Sequence, residues 1–82
     1  MSVLLTKHFQ ERYKSREVSN QIPLKEVVSL FENISAQGIE NNPKVHRVPN
    51  TTEEIYVVKH RNLRIFLTKK DNDLVLLSIT ND

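Results

Sequence analysis

Residues 54–79 read EIYVVKHRNLRIFLTKKDNDLVLLSI, and the period of this stretch decides the fold. Apolar residues recur at every second position, the spacing of a half-buried strand. Ile55 to Lys59 reads as one strand, Leu63 to Thr68 as a second and Leu74 to Thr80 as a third. The turns at His60-Arg61-Asn62 and Asp71-Asn72-Asp73 are of hairpin length, so the three strands pair antiparallel in chain order. The last strand is apolar at nearly every position, as in a strand that is covered on both faces or held centrally.

Upstream, Val45 to Val48 forms a short strand between the turn cluster Asn41-Asn42-Pro43 and the stop at Pro49-Asn50. Before it the period changes to that of a helix. Leu24, Val27, Val28, Phe31 and Ile34 fall on one helical face, Pro23 suits the first helical position, and Gly38, the only glycine, suits a left-handed C-terminal cap. Phe9 and Tyr13 stand one helical turn apart in a shorter helix capped by Thr6, and Val3-Leu4-Leu5 reads as an edge or N-terminal strand. The order is strand, helix, helix, then three or four antiparallel strands. This predicts an α+β domain with two helices packed on one face of a small, mainly antiparallel sheet.

At 82 residues the chain reads as a single domain spanning 1–82. A domain of this size buries roughly 60–65% of its unfolded surface, so function is expected on the outside rather than in a large internal cavity. There is no cysteine, no closely spaced metal-ligand motif and no phosphate-binding glycine loop, so neither metal nor cofactor is expected. The apolar run in MSVLLTKHFQ is short for a signal peptide, and no segment approaches the ~20 apolar residues of a membrane span. The expectation is a soluble, cytoplasmic protein.

A net charge of +2 says little, but its distribution is uneven. Residues 1–41 balance five cations against five anions, whereas Lys44, Arg47, Lys59, Arg61, Arg64, Lys69 and Lys70 face only Glu53 and Glu54. Alternation puts Leu63, Ile65 and Leu67 on one face and Arg64, Phe66 and Thr68 on the other. The aliphatic face suits the helices, which leaves Arg64 beside an aromatic ring on the uncovered side. A guanidinium next to a ring fits a phosphate and a base. Equally, Arg64 can pair with Glu53 or Glu54 while a chain terminus covers Phe66. Lys59, His60, Arg61, Lys69 and Lys70 are either a solvated fringe or the rim of an anion site. His46 and His60 are candidates for proton transfer, whereas His8 is a structural or solvent-facing residue. Glu53-Glu54 cannot serve as paired carboxylates, since neighbours in a strand face opposite sides. Any catalysis therefore falls to basic groups, which suffices for RNA cleavage because the 2′-hydroxyl supplies the nucleophile.

Taken together, the N-terminal strand and helical pair, the run from Lys44 to Arg47, IYVVK (55–59), LRIFL (63–67) and LVLLSI (74–79) resemble the RelE/ParE superfamily of bacterial toxin–antitoxin toxins. The resemblance implies a RelE-like toxin that acts on mRNA at the ribosome as a metal-independent endoribonuclease and is covered by a cognate antitoxin. It matches Arg64 to the family's phosphate-contacting arginine and Lys59 to the lysines before it; with His60 as candidate for proton transfer these are the expected catalytic residues, and the basic segment and strand reading add Arg61, Phe66, Lys69, Lys70, Arg47 and Lys44 as expected RNA-binding residues. Nuclease members of that superfamily carry a basic tail after the last strand, whereas this sequence reads Thr80-Asn81-Asp82 there. His60 or Tyr56 then inherits proton transfer, or the chain is a non-catalytic binding module that targets gyrase or another protein.

Overall fold

The structure is a computed structural model and describes residues 2–81; Asp82, the acidic residue noted above, lies outside them. Strand β1 (Val3–Leu5) is followed by helices α1 (Lys7–Tyr13), α2 (Arg16–Ser19) and α3 (Leu24–Gln37) and a 3-10 turn (Ile39–Asn41). Strands β2 (Val45–Arg47), β3 (Ile55–His60), β4 (Leu63–Lys70) and β5 (Asp73–Asn81) complete the chain. The sheet runs β1-β5-β4-β3-β2 and is antiparallel except where β1 lies parallel to β5. This is the α+β arrangement the periodicity implied, with β5 held centrally as expected.

Three helices stand where two were expected, because the first breaks at Lys14–Ser15. Thr6 caps α1 by accepting from the Phe9 amide at 3.1 Å, and its hydroxyl also donates to the Leu76 carbonyl at 2.9 Å, which pins the helix start to β5. The Tyr13 hydroxyl donates to the Ile22 carbonyl at 2.8 Å and folds the α2–α3 connection back onto α1. Pro23 takes the capping position just before α3, not the first helical one; its extended ψ of 145° lets its carbonyl accept from Glu26 and Val27. Gly38 has the positive φ expected of a helix cap (89°), but ψ is 135°, so the chain leaves extended rather than curling into the left-handed region.

Phe9, Val27, Phe31 and Ile34 from the helices meet Val58, Leu63, Ile65, Leu67, Leu74, Leu76 and Ile79 of the sheet. Burying each such side chain contributes about 1.5–3 kcal/mol before the entropy of ordering it is set against that gain. Among the described residues the core contains no buried polar or charged group. The helices cover one sheet face only.

Candidate nucleic-acid interface

The uncovered face follows from register. Directly opposed residues in antiparallel strands share a face, so three rows cross the sheet. Lys59, Arg64 and Thr80 form one row; His46, Val57, Phe66 and Ser78 form the next; Ile55, Thr68, Val75 and Leu4 form a third. A register shift between Phe66 and Leu67 leaves Leu77 as an extra residue of β5. Leu77 and Ser78 are both half-buried, which explains why LVLLSI shows no clean alternation although only one side is covered by helices.

Lys59 and Arg64 are exposed and directly opposite one another. Like charges in that relation destabilise a strand pair, and a structure that keeps them where an anion can bridge them has an electrostatic reason to do so. Arg47, Val48, Pro49, Val57, Lys59, Arg64 and Phe66 line an open cleft of about 310 Å³. One end is cationic and the floor is apolar. This arrangement can seat a phosphate on the guanidinium and ammonium groups while a planar base lies against Phe66. Glu53 and Glu54 adjoin the opposite end of β3, where the Glu54 carbonyl accepts from Thr68 Oγ1 at 2.8 Å. Lys59 lies four residues along β3 from Ile55, about 13 Å in an extended strand.

The other candidates are dispersed. Lys44 precedes β2, whose first residue pairs with Val58, so it stands near the cationic end. Arg47 borders the cleft, but its cross-strand partner is Tyr56 on the helix side. Lys69 and Lys70 lie at the far end of β4, roughly 17–20 Å from Arg64 at strand spacing, beside a second depression of about 540 Å³ shared with Glu53, Glu54, Thr68, Val75 and Leu77. His60 belongs to β3 rather than to the turn and pairs with buried Leu63, which puts it on the helix side. There His60 Nε2 lies 3.3 Å from Glu26 Oε2, and Arg61 Nη2 donates to Glu26 Oε1 at 2.9 Å. His60 and Arg61 are therefore held by α3 and do not join Arg64.

Tyr56 is also on the helix side. Its hydroxyl donates to Glu54 Oε2 at 3.4 Å, and its pKa is raised above the ordinary 10.0 by burial first and then by the adjacent Glu54 carboxylate. A phenol so placed holds its proton more firmly than a free one. His46 is the histidine that the register puts on the Arg64 face, exposed and one row from the Lys59–Arg64 pair, one strand over from Lys59 and two from Arg64, which puts it about 12 Å from Arg64 at sheet spacing. Of the two candidate histidines, His46 and not His60 therefore shares a face with Arg64, a distinction that strand parity makes only once the β3–β4 turn is known to hold two residues.

No protein-family model and no curated protein matches the chain. Solved structures do. A metal-bound toxin from Helicobacter pylori superposes with a TM-score of 0.75 at 19% identity, covering 99% of this chain and 93% of that one. The toxin–antitoxin complex RelBE2 from Mycobacterium tuberculosis matches with a TM-score of 0.65 at 10% identity, covering 99% and 96%. The fold is RelE-like. Within this RelE-like fold no group of three or more histidine, cysteine, aspartate or glutamate side chains stands together as metal donors among the described residues. Nor, among those residues, is any helix long and apolar enough to cross a membrane.

Proposed function

We propose that this chain is the toxin of a type II toxin–antitoxin pair and that its uncovered sheet face engages mRNA at the ribosome in the cytoplasm. The Lys59–Arg64 pair beside Phe66, on the face the helices leave open, is the observation that carries this reading. The RelE-like fold supports it, since two similar structures are described as toxins, one of them in complex with its antitoxin.

In this reading Arg64 grips the scissile phosphate and stabilises the charge that grows on it as the 2′-oxygen attacks. Lys59 adds charge at the same level, and Phe66 stacks a neighbouring base. His46, the histidine on this face, is the group placed to take or return a proton. Arg47 and Lys44 extend the positive field at the cationic end, with Lys69 and Lys70 reaching RNA only beyond the far end of the groove. An antitoxin would cover the cations and the apolar floor together with a segment of complementary chemistry.

Induced expression followed by primer extension on cellular mRNA tests this. Codon-positioned cuts that vanish in Arg64→Ala, with growth restored and the circular dichroism spectrum unchanged, are the expected result. Growth arrest without cuts, accompanied by DNA-damage signalling, would favour the gyrase-directed binding alternative. An Arg64→Ala protein as toxic as the parent removes the site.

A further inference from the structure

We propose that Glu26 is a positioning residue for the phosphate site: from α3 it holds down the β3–β4 turn and so keeps Lys59 and Arg64 side by side. This rests on the RNA-binding reading above.

The Lys59–Arg64 pair is the second pair of the hairpin, one step from the turn, since His60 opposes Leu63 and Arg61-Asn62 makes the reversal. Both turn residues have positive φ, 53° for Arg61 and 48° for Asn62, a region where arginine is disfavoured and asparagine merely tolerated. The reversal therefore leans on contacts from outside the hairpin.

The grip comes from the start of α3. Glu26 receives Arg61 on one carboxylate oxygen and lies within reach of His60 on the other. The Gln21 carbonyl accepts from Arg61 Nη1 at 3.0 Å, while Gln21 Nε2 donates to Asn81 Oδ1 at 2.9 Å. Residues of β3, the turn and β5 are thereby held at the same end of the sheet; β4 lies between these two strands, and the row Lys59, Arg64 and Thr80 crosses all three at that end. The two side chains that Glu26 pairs with, His60 and Arg61, do not line the cleft. Its effect on the cations travels through the turn.

The sign of one measurement separates this role from simple electrostatics. Glu26→Ala raises the net charge from +2 to +3 and frees Arg61, so a purely electrostatic surface should bind RNA more tightly. Positioning requires the opposite. The affinity of the full chain for a short single-stranded RNA should fall several-fold in Glu26→Ala, and backbone amide exchange should speed up across residues 59–64 while Leu67 and Leu76 stay protected. The charge-reversed double variant Glu26→Arg with Arg61→Glu should recover both. If Glu26→Ala does not fold, Glu26→Gln takes its place, with smaller changes of the same sign. Equal or tighter RNA binding, or unaltered exchange, overturns the proposal. A parallel Arg64→Ala that binds RNA like the parent overturns the interface itself and is recognised separately, because the exchange result does not depend on it.

Discussion

Lys59 and Arg64 pose a conflict between stability and use at the level of single residues. Each would be unremarked alone on a solvated face, but directly opposed like charges are an arrangement whose repulsion disfavours strand pairing. Lys59→Glu should turn that repulsion into attraction and raise the urea midpoint, by an amount equivalent to about 0.5–1 kcal/mol, while abolishing toxicity. A midpoint that falls would mean the pair is not opposed as described. Alternation alone was enough to read Arg64 as outward-facing. It failed for His60 because the answer depended on the turn: a three-residue turn removes His60 from the strand, whereas the two-residue turn observed keeps it in β3 and aims it at Glu26, 34 residues away in sequence. No local pattern in the basic run announces a partner on α3. The same parity separates His46 from Tyr56 and decides which of them can meet a phosphate.

At the scale of elements, legibility followed contact range. The three-strand meander was readable because each pairing is local and each turn carries Asn or Asp, which tolerate positive φ. The parallel pairing of β1 with β5 joins residues about 70 positions apart and leaves no local trace. The break between α1 and α2 is another case: Ser15 takes the extended position that caps α2, but a serine among polar residues is no sufficient sign of a helix end. Gly38 lies between these extremes. Its place after Gln37 marks a helix end, yet its backbone angles exceed what a left-handed cap requires and lie where a side chain is strained. A Cβ there would also meet Asn41 Nδ2 at 3.3 Å. Gly38→Ala should therefore destabilise the protein by about 1–3 kcal/mol, seen as a lowered thermal midpoint. Gly38→Asn should cost no less, because asparagine's tolerance extends to the left-handed region and not to ψ near 135°. An unshifted midpoint in the alanine variant would show that the α3 exit relaxes freely.

Over the whole molecule the fold sorts a basic sequence into separate destinations. Seven cations lie between Lys44 and Lys70, and a reader of the sequence alone would let all of them face one ligand. The sheet prevents this: Arg61 is spent on α3, Lys69 and Lys70 go to the far end, Lys44 stands before β2 outside the cleft lining, and Arg47, Lys59 and Arg64 line the cleft. This division has a thermodynamic signature. Each phosphate neutralised on a single strand releases counterions that contribute about −0.7 to the slope of log affinity against log salt. Three contacts predict a slope of about −2 for a short single-stranded RNA, whereas engagement of all seven cations predicts about −5. Titrations of a ten-nucleotide RNA, which carries more phosphates than the segment has cations, distinguish the two across a range of salt concentrations. Arg64→Ala should reduce the slope by close to one contact's share, and the pair Lys69→Ala with Lys70→Ala should leave it unchanged. A slope near −5 would mean that the basic run acts as one surface in spite of the register that divides it.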